Sequence, residues 1–127
     1  MKIVLIGVAG AFGALARYGI GVALGGRSFP WATLGINLTG SFLLGFVLAL
    51  GIERGWSDTT TMPLAIGFLG AYTTFSTFSF ETFTLARTDR ASLAAVYVAV
   101  SVAGGVLAAF AGFTKPRGAR FARGLLP

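Results

Sequence analysis

The sequence predicts an all-α integral membrane protein of four transmembrane helices, with the third helix broken mid-membrane. Three observations carry that expectation. Of the 127 residues, 55% are hydrophobic and 11% charged, and the mean hydropathy is +0.82. A soluble domain uses about 25% charged residues to cover its surface. Four apolar stretches, at about residues 3–24, 31–52, 62–85 and 93–113, each approach the ~20 residues that cross a bilayer's hydrocarbon core. The third stretch changes character halfway, because residues 67–82 read GFLGAYTTFSTFSFET. The loops are short, so residues 1–127 read as one transmembrane domain, ending in a basic tail over 114–127.

In the first helix, Gly7, Gly10, Gly13 and Ala14 provide small residues at spacings that let helix backbones approach closely in lipid. The start also imitates a secretory signal, with Lys2, an apolar run and Ala14-Leu15-Ala16. The glycines suit helix packing better, and three further spans follow. Arg17 lies near the helix end beside Tyr18. It either reaches the headgroups or serves as a structural pair or an electropositive vestibule that attracts anions. Residues 25–30 form a turn, and Pro30 is placed to start the second helix.

On the second helix Thr33, Asn37 and Ser41 recur every four residues, with Gly40 and Gly45 beside them. Asn37 is the only amide side chain in the protein. At membrane depth it is either glue between helices or part of a pathway. After a polar loop, Pro63 opens the third helix. Gly67 and Gly70 weaken it, and so do the β-branched Thr73 and Thr74. If the helix breaks there, carbonyls lose their partners in hydrocarbon and must find others. Such carbonyls bind cations such as Na⁺ in membrane proteins. The alternative is an unbroken helix whose hydroxyls bond back to i−4 carbonyls. Phe75 and Phe78 share a face, and ring edges turned into a narrow pore favour an anion. Ser76, Thr77, Ser101 and Asn37 could replace part of that ion's water. Glu81 follows on the side of Phe78, as a proton relay, a gate or a helix-end residue. The fourth helix places Tyr97, Ser101, Gly104, Gly105 and Ala108 on one face.

There are no cysteines and no histidines, which excludes disulfides and Cys/His metal sites. No constellation for catalysis is visible, so an enzyme is not expected. The net charge is +6, and Lys115, Arg117, Arg120 and Arg123 of the tail carry much of it. After a membrane helix such a tail reads as contact with anionic lipid and a topology signal, not as a nucleic-acid site.

These residues resemble the Fluc (CrcB-type) fluoride channels of microbial membranes over nearly the whole chain. The resemblance rests on Gly13-x-x-x-Arg17-Tyr18, on Asn37-x-x-Gly40-Ser41 with Gly45, and on Gly67-Phe68-x-Gly70-x-x-Thr73-Thr74-Phe75-Ser76-Thr77-Phe78 followed by Glu81. It implies a passive, multi-pass channel of the cell (inner) membrane that exports fluoride and gives fluoride resistance. It also implies an antiparallel, dual-topology homodimer with two pores. A central structural Na⁺ would be held by the Gly70 and Thr73 carbonyls of both subunits. The fluoride pathway would comprise Asn37, Phe75, Ser76, Thr77, Phe78, Glu81, Tyr97 and Ser101. The sequence departs from the family pattern at Ala71-Tyr72, where a glycine is common, and at Gly105, where some members carry a hydroxyl. The competing reading, a small four-helix proton-coupled multidrug exporter, needs an acid deep in a membrane helix, and the first two helices carry none before Glu53.

Overall fold

The computed structural model describes residues 1–114. The basic tail expected from the sequence lies outside the described residues, apart from Thr114. Among the described residues every regular element is helical. They are α1 (Lys2–Leu24), α2 (Trp31–Arg54), α3 (Asp58–Met62), a π-helical stretch (Pro63–Leu69), α4 (Gly70–Tyr72), α5 (Phe75–Arg87) and α6 (Ala91–Thr114). Three of them, α1, α2 and α6, are long and apolar enough to cross a membrane.

The stretch expected as a broken third span is not one continuous helix. It begins four residues earlier than the apolar pattern suggested, at Asp58, passes through a π-helix, and is interrupted at Thr73 and Thr74. Thr73 (φ −76°, ψ 158°) and Thr74 (φ −149°, ψ 117°) are both extended. The glycines and β-branched residues of this stretch make the helix easy to leave here.

The break redirects the chain. Before it, the π-helix and α4 pack on α1; after it, α5 packs on α6, and α2 pairs with α6 along its length. Backbones touch at the small residues. A Cβ on Gly13 would collide with the Phe68 carbonyl, and one on Gly45 with the Ala109 carbonyl. Gly112, on the facing side of α6, meets the Phe42 carbonyl in the same way. Gly7, in contrast, faces open space.

The loops tie the ends together. Gly55 caps α2 in the left-handed region (φ 64°), and the Trp56 N–H bonds the Gly51 carbonyl at 2.9 Å. Lys2 Nζ lies 3.7 Å from Asp58 Oδ2 at that end. At the opposite end Arg90 Nη1 donates to the Ser28 carbonyl at 3.2 Å. Large apolar side chains of α1 and α6 face outward, including Phe12, Leu15, Val106 and Phe110. That surface suits lipid or a partner helix.

Candidate functional site

The break exposes backbone polar groups that the helix no longer pairs. The amide of Asn37 takes two of them. Thr74 N–H donates to Asn37 Oδ1 at 2.8 Å, and Asn37 Nδ2 donates to the Thr74 carbonyl at 3.0 Å. One residue's N–H and carbonyl are thereby both bonded by one side chain, which also fixes which end of the amide is oxygen. Thr74 then caps α5, because its Oγ1 accepts from the Thr77 N–H at 3.2 Å. Thr73 Oγ1 donates back to the Leu69 carbonyl at 2.9 Å.

This wiring has a consequence for the carbonyls. In a continuous helix the Thr74 N–H would bond the Gly70 carbonyl, and the Thr77 N–H that of Thr73. Both donors are diverted, to Asn37 and to Thr74 Oγ1. Among the described residues no cluster of three or more His, Cys, Asp or Glu could hold a metal. What this segment offers a cation is main-chain oxygen, that of Gly70 and Thr73. Gly70 is exposed at the rim of a hollow of about 260 Å³ that Asn37, Ser41, Thr73 and Phe75 also line.

A second polar group forms where α2, α5 and α6 meet. Both oxygens of Glu81 accept hydroxyl protons, from Thr33 at 2.8 Å and from Tyr97 at 2.7 Å. Tyr97 is 0% exposed, and its ring lies against Phe78 (centroids 5.1 Å) and Phe29 (5.5 Å). Phe75 and Phe78 stand 5.8 Å apart at 48°. Phe78 packs into this cluster, while Phe75 is 79% exposed and the neighbouring Ser76 and Thr77 are exposed too. Ser101 Oγ is buried and has no hydrogen-bond partner among the described residues. A cleft of about 580 Å³ reaches this region, lined by Arg17 and Arg27 as well as Thr33, Thr77 and Glu81.

Most of the residues singled out in the sequence thus gather around the break and the Glu81 cluster. Ser101 is not bonded into either group, and Arg17 lines the cleft. Thr33 was visible in the sequence as part of the α2 stripe, but its bond to Glu81 was not. Thr74, Thr39 and Tyr72 were missed as partners at the break. The Thr33–Glu81 bond crosses 48 positions and the Asn37–Thr74 pair 37, which no periodicity within one helix can reveal.

Long apolar helices around an interrupted segment, with polar side chains paired inside the bundle, define a multi-pass integral membrane protein. The chain belongs to the CrcB-like family: residues 4–113 match the family described as CrcB-like protein, Camphor Resistance. It is 44% identical over 119 residues to the fluoride-specific ion channel FluC 2 of Geobacillus kaustophilus, covering 89% of this chain and 91% of that one. It is 44% identical over 117 residues to FluC 1 of Symbiobacterium thermophilum, covering 88% and 94%. A FluC channel of Thermus thermophilus is 40% identical over 115 residues, covering 88% and 91%.

Proposed function

We propose that this protein is a passive fluoride channel of the cell membrane, not an enzyme. The observation that carries this reading is the 44% identity to a fluoride-specific ion channel over 89% of the chain. On this reading the segment from Asp58 to Arg87 is a fourth crossing, and the chain works as an antiparallel homodimer.

The open face of α5 supports that assembly. A strongly exposed Phe75 beside the hydroxyls of Ser76 and Thr77 is half of a pore wall, which a second copy would close. Fluoride is small and strongly hydrated, so a selective path must be narrow and rich in donors. Ring edges of Phe75 and Phe78 present positive potential to the anion. Asn37, Ser76, Thr77, Glu81, Tyr97 and Ser101 line the rest of the proposed path, two such paths running through the dimer. Arg17 gives the mouth of the cleft its positive charge. A Na⁺ ion held by the Gly70 and Thr73 carbonyls of both subunits would fix the two breaks to each other and offset the negative ends of their carbonyl dipoles.

The test is ion release from liposomes containing the purified protein. Rapid, passive fluoride efflux with no chloride efflux is expected; equal release of both ions, or of neither, would overturn the reading. Phe75→Ile and Phe78→Ile are each expected to abolish fluoride efflux in folded protein. Normal flux in both variants would show that the rings only pack.

A further inference from the structure

Helix α4 has only three residues, Gly70–Tyr72, yet it carries the segment from which the proposed cation ligands project. Its backbone is tied to the π-helix through the Gly70 and Thr73 N–H groups. Those bonds set its pitch but do not fix its distance from α2. The Tyr72 and Thr73 side chains do, both packing where Gly40 leaves the face of α2 open, with Thr73 Cγ2 the nearer. The Tyr72 ring also stacks on Phe68 (centroids 5.9 Å, 10° between planes). Its hydroxyl is 3.0 Å from Thr39 Oγ1.

The direction of that bond follows from the neighbours. Thr39 Oγ1 also lies 2.7 Å from the Gly35 carbonyl, which can only accept. A threonine hydroxyl has one proton, so Thr39 gives its proton to Gly35 and Tyr72 donates to Thr39. Helix α2 therefore grips the break on both sides: Asn37 holds the backbone after it, and Thr39 holds the side chain before it.

We propose that the Tyr72–Thr39 hydrogen bond is a positioning strut that holds the Gly70 and Thr73 carbonyls in register for a monovalent cation; this rests on the sodium reading above. Neither residue supplies one of the proposed ligands. The strut acts by limiting how far the short helix can swing from α2, so its loss weakens cation affinity.

The test uses the full-length protein in detergent, melted across a series of NaCl concentrations at constant ionic strength with N-methylglucamine chloride. A cation that binds only the folded protein raises the melting temperature with concentration. Tyr72→Phe removes the donor and leaves the ring. It is expected to raise the Na⁺ concentration at which the melting temperature begins to climb roughly three- to ten-fold, the worth of one hydrogen bond. Thr39→Val should shift it as much and also lower the Na⁺-free melting temperature below that of Tyr72→Phe, because it strands a tyrosine hydroxyl in a residue only 8% exposed. The double variant should recover the Na⁺-free melting temperature of Tyr72→Phe. An unchanged onset concentration for Na⁺ in Tyr72→Phe overturns the strut, whatever its melting temperature. A wild-type protein indifferent to Na⁺ overturns both the strut and the sodium reading, while selective fluoride efflux from the same preparation would still uphold the channel.

Discussion

One amide decides how the chain leaves its helix at Thr73. Asn37 supplies an acceptor to the Thr74 N–H and a donor to the Thr74 carbonyl, so backbone groups held away from water keep both partners. Losing a partner strands a group at roughly 1–3 kcal/mol. Asn37→Ala strands both and is expected to cost about 2–6 kcal/mol. Asn37→Asp keeps the acceptor, loses the donor and places a carboxylate beside a carbonyl, so it should fall well below wild type too. Denaturant melts in detergent would read both; an Asn37→Ala protein as stable as wild type would mean that water or lipid headgroups replace the amide without cost. The two phenylalanines separate by burial in the same way. Phe78 touches Tyr97 and the Leu34–Leu85 cluster, and Phe75 is open. Phe78→Ile should therefore cost about 1–2 kcal/mol of monomer stability. Phe75→Ile should cost the single chain little.

At the scale of elements, helix pairing rests on backbone approach. Gly45 and Gly112 let α2 and α6 meet carbonyl to Cα, where an added methyl has nowhere to go. Gly45→Ala or Gly112→Ala should push the two helices apart, lowering the melting temperature sharply and the yield of folded protein. Gly19→Ala, at a position with open space around it, should be neutral or slightly stabilising. If all three behaved alike in the melt, the close contact would not be what holds α2 to α6. The sequence made part of this legible. Glycine spacing marked α1 and α2 as packing helices, and Gly67, Gly70, Thr73 and Thr74 marked a helix under strain. It did not reveal the partners. Gly112 lay beyond the small-residue face read on the last helix. Gly7 belonged to the pattern on α1, but a Cβ there would meet no other element among the described residues. The earlier start at Asp58 was hidden because α3 is polar and largely exposed, and its helicity leaves no apolar signal. Contacts across dozens of positions, such as Thr33 to Glu81, depend on how whole helices dock. A one-dimensional pattern carries no record of that.

The whole molecule has two ends of similar character. One holds Lys2, Glu53, Arg54 and Asp58, with Lys2 near Asp58; the other holds Arg27, Arg87, Asp89 and Arg90, with Arg90 on Ser28. Positive charge on the loops orients membrane proteins, and a near balance outside the tail leaves both orientations open. A reporter fused to the C-terminus is accordingly expected on both faces of the membrane in one population of cells. A reporter found on one face only would end the dual-topology proposal. The pairing of α2 with the last helix also bears on biosynthesis. A nascent chain can assemble α1 with the π-helix as soon as Tyr72 has emerged. The groove at Gly45 and the hydroxyl of Thr33 must wait for Ala109, Gly112 and Glu81, with Tyr97 to complete the cluster. Until the final helix leaves the ribosome, half of the bundle is an unfinished surface, and a message cut short before Ala91 yields a product that quality-control proteases should clear.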